Sequence, residues 1–237
     1  MNFYIPELKY TFYGPIVFIS IIIGMLVACF LMKKSGVKKE AVFYTALLTF
    51  VSILVCSASL SVALSGDIRK IGFVGAGGAL GLIIGAITSA LINNDHRFES
   101  IAAWIISAPL MYGLSKTACH IAGCCKGIPY NGIFQVTYEL YDNKSFFPIQ
   151  LTETFIFLII FFIGLVLYLK FKNKMNVAAF ILLLSGLSKI ALEFLRESHI
   201  GKFISSYQII VLSITLIGVI TILLLSHFST RKKANDS

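Results

Sequence analysis

Lys116-Thr117-Ala118-Cys119-His120-Ile121-Ala122-Gly123-Cys124-Cys125-Lys126-Gly127 ends one apolar run and opens the only long polar segment of the chain. It sets a cation, three thiols and an imidazole where a hydrophobic helix meets water. Ionisable groups at such a boundary usually have a task. One reading is a helix end closed by Gly123, with snorkelling lysines and incidental small cysteines. The other is a site for a lipid headgroup or an acceptor thiol. Either way the stretch is a hinge between four apolar runs before it and three after it.

Those runs decide the class. Of 237 residues, 57% are hydrophobic and only 13% charged, whereas soluble domains carry about 25% charged residues. Mean hydropathy is +0.88. Each run approaches the roughly 20 residues a helix needs to cross hydrocarbon, and none alternates as a barrel strand would. The expected spans are the run from the end of the Phe12-Tyr13-Gly14-Pro15 leader to about Met32, then about Val42–Ser65, Ile71–Ile92, Ala102 to the quoted stretch, Ile149–Leu169, Val177–Leu195 and Ile204–Phe228. Glu7 and Lys9, rather than a basic cluster, precede the first, and no A-x-A-like site follows it, so it reads as retained. The expectation is an all-α polytopic membrane protein with seven transmembrane helices. Residues 1–228 form a single transmembrane domain, with a small outer head at about 123–147 between helices 4 and 5 and a basic tail at 229–237. Within the head, Phe134–Leu140 is a short strand candidate, and the head is too short for a core of its own.

The formal charge of +9 comes from 20 Lys and Arg set in short loops around the spans, which points to anionic lipid rather than nucleic acid. With the N-terminus outside, Lys33, Lys34, Lys38, Lys39, Lys170, Lys172, Lys174 and Arg231-Lys232-Lys233 all fall inside. The densest cationic clusters then obey the positive-inside tendency, with the C-terminus cytoplasmic. That topology gathers the unusual polar residues at one outer face. Gln150 and Glu153 are i, i+3; Lys189, Glu193 and Arg196 make an i, i+4, i+7 stripe; Lys116, Cys119 and His120 are i, i+3, i+4. Gln208 opens the last helix. Glu193 neutralises Lys189 and Arg196 in the plainest reading. Adding a ligand, three cations and two carboxylates suit an anionic headgroup. Gly77, Gly81 and Gly85 share one helical face and suit close helix packing.

Cys29 and Cys56 sit inside apolar runs as small hydrophobes. Cys119, His120, Cys124 and Cys125 include metal-ligand types, but C-H-x3-C-C lacks the C-x2-C spacing of ordinary zinc sites, so no metal and no cofactor is expected. On an oxidising outer face Cys124 is expected to pair with Cys119 or a partner rather than with adjacent Cys125, which would close a strained ring.

These residues resemble the prolipoprotein diacylglyceryl transferase family. Tyr13-Gly14 is similar to its tyrosine-glycine pair before the first helix. Gly77-Gly78 matches its histidine-glycine-glycine motif, with Ala76 where the histidine stands. Lys116 to Gly127 resembles its signature, with Lys116, Cys119 and Cys124 in the places of arginine, asparagine and glutamate, and Gly127 retained. Pro148, Gln150, Leu151 and Glu153 match P-x-Q-L-x-E; Lys189, Glu193, Phe194 and Arg196 match R-F-x-x-E-x-x-R with lysine first; Gln208 and Ser213 match the last-helix glutamine and serine. The resemblance implies a multi-pass protein of the bacterial plasma membrane with its site at the outer face. Its partners would be phosphatidylglycerol or another anionic phospholipid, and a prolipoprotein whose cysteine thiol receives the diacylglyceryl group. Lys116, Lys189 and Arg196 would hold the phosphate, Gln150 and Glu153 orient the glycerol, and His120 or Glu153 take the thiol proton, with Tyr13, Gly77, Gly78, Cys119, Gly127, Glu193 and Gln208 completing the substrate site. A paralogue acting on another acceptor or lipid, and a non-enzymatic membrane thiol or metal-binding protein, are the alternatives.

Overall fold

The computed structural model describes residues 2–5, 8–70, 72–92 and 96–235. Seven α-helices run through them: α1 Tyr13–Lys34, α2 Lys39–Ser65, α3 Gly75–Ile92, α4 Arg97–Ile121, α5 Ile149–Lys170, α6 Lys174–Glu193 and α7 Ser206–Asn235. Five of them, α1, α2, α5, α6 and α7, are long and apolar enough to cross a membrane. α3 is the shortest of the seven, Gly75–Ile92, because the chain from Gly72 to Val74 is not helical. In α4, Arg97, Glu99 and Lys116 flank a run from Ser100 to Ser107 that is buried throughout. α4 is therefore the central post, packed by α1, α3, α5 and α6. The outer surfaces carry large exposed apolar side chains such as Phe18, Leu26, Phe30, Val55 and Phe162. In water these would be a liability; against lipid they are the favourable face, since helices already satisfy their own backbone.

Local chemistry sets several ends. Gly66 closes α2 in the left-handed conformation (φ +67), returning its N–H to the Val62 carbonyl, the geometry glycine adopts without a β-carbon clash. Pro148 is the N-cap of α5, where the absent N–H costs least. Ser205 and Gln208 form a reciprocal cap on α7: the Ser205 N–H donates to Gln208 Oε1 at 2.9 Å and the Gln208 N–H to Ser205 Oγ at 3.2 Å, the S-x-x-Q pattern. α7 continues past Phe228 to Asn235, so the backbone of the basic 231–233 run is helical.

The glycine stripe of α3 seats on α2. A β-carbon at Gly77, Gly81 or Gly85 would lie 2.6, 2.2 or 2.6 Å from the α2 atoms Cys56 O, Ser52 O and Thr49 Cα. The packing expectation for this face therefore holds.

The head differs from the expectation. Its strand is Gln135–Tyr138 (β2), shorter than Phe134–Leu140, and the chain turns into a 3-10 helix at Glu139–Tyr141. An unexpected strand, Asn2–Ile5 (β1), pairs with it in parallel, and Ser145–Phe146 (β3) pairs antiparallel on its other side. Val136, Tyr138 and Phe146 form a buried nucleus with Ile5, Leu8 and Tyr141 against it. The head does have a core, then, because the N-terminal segment supplies part of it.

Candidate functional site

α4, α5, α6 and α7 alternate in direction, so the end of α4, the start of α5, the end of α6 and the start of α7 meet at one end of the bundle, beneath the head. α5 turns Gln150 and Glu153 inward one helical turn apart, and both side chains are fully buried, 0% exposed. A buried carboxylate needs partners, and Glu153 has four. Lys189 Nζ donates to its Oε1 at 2.8 Å; Arg196 donates through Nη2 to both oxygens at 3.0 Å; Lys116 Nζ stands 3.3 Å from Oε2; and the Tyr112 hydroxyl donates to Oε1 at 3.2 Å. Glu193 adds a second carboxylate, 2.8 Å from Lys189 and 3.3 Å from Arg196 Nε. Three cations against two carboxylates leave one net positive charge.

Arg196 reaches this cluster by an unexpected route. α6 ends at Glu193, so Arg196 does not continue a helical stripe. It lies in extended backbone bridged to Gly127, with the Ile128 N–H donating to the Leu195 carbonyl and the Glu197 N–H to the Lys126 carbonyl, at 3.0 and 3.1 Å. Gly127 permits the contact: a β-carbon there would meet the Phe147 carbonyl oxygen at 2.2 Å. Burial is the largest single influence and works against the guanidinium charge, but Glu153, Tyr112, Cys125 and Glu193 together outweigh it and raise the Arg196 pKa above its ordinary value.

Gln150 ties the thiol stretch to the head, donating from Nε2 to the Cys124 carbonyl at 2.8 Å and to the Tyr138 hydroxyl at 3.2 Å. Its Oε1 is buried with no partner, and Arg196 Nε likewise makes no hydrogen bond despite its proximity to Glu193. The site thus holds one unused acceptor and one unused donor. Beside it, a cavity of about 150 Å³ runs among the helices, lined largely by apolar side chains such as Val17, Ile21 and Leu82 and by Gly78, and reached by Tyr112 and Lys189. The Lys189 ammonium also lies 5.1 Å from the Tyr207 ring.

All five cysteines are free, so the expected Cys119–Cys124 pairing is not formed; the Cys124 thiol is directed instead at the Cys119 carbonyl, 3.7 Å away. The Sγ atoms of Cys119, Cys124 and Cys125 nevertheless lie within 4.8 Å of one another. Hydrogen bonding with Cys119 and Cys124, helped by Lys116 and Arg196, holds the Cys125 thiol below its ordinary pKa. Tyr13, half-buried at the start of α1, is in electrostatic reach of these thiols and of Lys116.

The remaining expected residues make the following contacts. His120 is half-buried with its ring edge-on to Phe3, 6.5 Å between centroids, and its Nδ1 has no partner; no contact with Glu153 is formed. Gln208 spends its amide on the α7 cap and on the Ile190 carbonyl, 3.2 Å away. Gly77 packs against α2, whereas Gly78 lines the cavity. Tyr112 was not singled out from sequence, although its i, i+4 spacing to Lys116 was the available signal.

A family model described as prolipoprotein diacylglyceryl transferase matches residues 1–225. The chain is also similar to the phosphatidylglycerol–prolipoprotein diacylglyceryl transferase of Clostridium tetani (strain Massachusetts / E88), at 24% identity over 233 residues covering 90% of this chain and 92% of that protein.

Proposed function

The chain belongs to the prolipoprotein diacylglyceryl transferase family, a family of membrane transferases in lipoprotein biosynthesis, and on that premise we propose that it moves the diacylglyceryl group of phosphatidylglycerol to the lipobox cysteine thiol of a prolipoprotein. The observation that carries this reading is the Glu153 cluster: three buried cations and two carboxylates with one net positive charge, set beside an apolar cavity. Phosphatidylglycerol carries one negative charge on its phosphodiester, which suits the cluster, and an apolar diacylglycerol part, whose glyceryl end suits an apolar cavity of this size.

In the resting site Glu153 gathers the cations. An incoming phosphate competes for Lys116 and Arg196, whose Nε already has a donor to spare, and their charge stabilises the leaving phosphate. The unpartnered Gln150 Oε1 accepts from a glycerol hydroxyl. As the cations turn to phosphate, one Glu153 oxygen is released to take the acceptor thiol's proton. The thiolate then attacks the glyceryl carbon, a sulfur–carbon bond forms, the carbon–oxygen bond to phosphate breaks, and glycerol phosphate leaves with the electron pair. Glu153 suits the proton transfer better than His120, which faces β1 rather than the cluster.

All seven helices cross a bacterial plasma membrane, N-terminus outside and C-terminus cytoplasmic, with the site at the outer face. The cationic loops Lys33–Lys39 and Lys170–Lys174 lie at the bundle end opposite the head, which supports this orientation. The test is direct: purified protein, labelled phosphatidylglycerol and a lipobox peptide, followed by mass spectrometry. The peptide cysteine gains one diacylglyceryl group. A peptide left unmodified beside an active relative overturns the reading.

A further inference from the structure

The three clustered thiols play no part in the reaction just described, yet the fold goes to some length to assemble them. Cys119 ends α4, Gly123 reverses the chain at φ +62, and Cys125 itself adopts φ +54, a left-handed conformation that side chains with a β-carbon rarely take. The loop is held independently of its thiols. The Cys124 N–H donates to the Cys119 carbonyl at 3.1 Å, the Gly123 N–H to the His120 carbonyl at 3.3 Å, and Gln150 to the Cys124 carbonyl at 2.8 Å. The C-H-x3-C-C spacing argues against an ordinary zinc site, but in the fold the reversal at Gly123 stands in for the usual C-x2-C turn.

Zinc–thiolate bonds of about 2.3 Å in a tetrahedral site put sulfurs about 3.8 Å apart. The three Sγ atoms, within 4.8 Å of one another, need an inward shift of about 1 Å to reach that spacing. Cys119 is buried and Cys125 exposed, so the trio forms a cup with one side open. No fourth His, Cys or carboxylate joins it among the described residues, and three protein ligands with a vacant position is the pattern of reactive rather than structural zinc sites.

We propose that Cys119, Cys124 and Cys125 bind one thiophilic dication of the zinc kind, and that its open position receives the acceptor cysteine of the peptide substrate as a thiolate. The proposal rests on the thiol-alkylating reading above. The acceptor S–H proton goes to Glu153, the sulfur stays bound by the cation until it attacks the glyceryl carbon, and no oxidant or reductant is involved. Binding at this point sets the nucleophile beside the cations that hold the donor phosphate.

Cadmium serves as the probe, because its thiolate charge-transfer absorption counts bound sulfur. Reduced, chelator-treated protein in detergent takes up one equivalent of cadmium with growth of that band, and added zinc displaces it. A lipobox peptide deepens the band through a fourth sulfur, and the same peptide with serine for cysteine does not. A band that fails to form, that persists in a C119S/C124S/C125S variant, or that ignores the cysteine peptide overturns the proposal. Absent lipid transfer with the cadmium response intact would count against the phosphatidylglycerol reading and leave the cation site standing.

Discussion

Glu153 is the residue on which the site turns, because it is the shared partner of Lys116, Lys189 and Arg196. Removing it leaves Lys116 without a carboxylate and Lys189 and Arg196 sharing Glu193 alone, and breaking a buried pair from one side costs about 3 to 5 kcal/mol. Glu153→Ala therefore lowers the thermal midpoint in detergent and abolishes transfer, whereas Glu153→Gln, which keeps an acceptor for Lys189, recovers part of the stability and none of the transfer. Lys116 gives the complementary test. It is the most distant of the three cations, 3.3 Å from the carboxylate, and so the freest to move to a phosphate. Lys116→Ala loses about 1.5 to 3 kcal/mol of charge-assisted binding, roughly ten- to a hundredfold in turnover. Lys116→Arg keeps the charge, adds a planar fork and retains or gains activity. Transfer assays at matched expression separate the two; equal activity in the alanine and wild-type proteins would reduce Lys116 to a helix-end residue.

At the scale of elements, two close approaches position everything else. The α2–α3 seam depends on glycine, and Gly81→Leu drives a side chain into the Ser52 carbonyl, which a β-carbon alone would meet at 2.2 Å. α3 then shifts from α2, and the variant shows a lower thermal midpoint and poor recovery from membranes. Gly127→Val acts differently. Its β-carbon collides with the Phe147 carbonyl and parts the Gly127–Arg196 bridge, withdrawing the guanidinium from Glu153 while the helices stay packed. The expected signature is lost transfer together with a clearly lower thermal midpoint, read by the same assay and melt. Overpacking of this kind typically costs 1 to 3 kcal/mol.

For the whole molecule, the orientation is the testable statement. A cysteine introduced at Asn143, in the head, labels with an impermeant reagent in intact cells, and one at Lys174, at the start of α6, does not; the reverse pattern inverts the topology. The N-terminal strand offers a second global test. β1 completes the sheet that buries Tyr138, and Tyr138 receives a hydrogen bond from Gln150. Deleting residues 2–5 loosens the head, raises protease cleavage between Pro129 and Ser145, and weakens transfer without disassembling the helices.

Composition and run length were enough for the membrane class, because crossing hydrocarbon demands about 20 apolar residues whatever their neighbours. Glu153, Gln150 and the cations were legible for a related reason: polar side chains are expensive in apolar helices, so each stands out singly. The α3 glycine face was readable from its i, i+4, i+8 spacing. What one-dimensional spacing did not carry was any contact made by chain leaving a helix. Arg196 sits beyond the end of α6 and is held by Gly127; β1 finds β2 across more than a hundred residues; and the three thiols converge because Gly123 and Cys125 turn left-handed. Helical periodicity speaks only for residues inside a helix, and these placements come from turns and non-local pairings whose energy exists only once the bundle has brought the segments together.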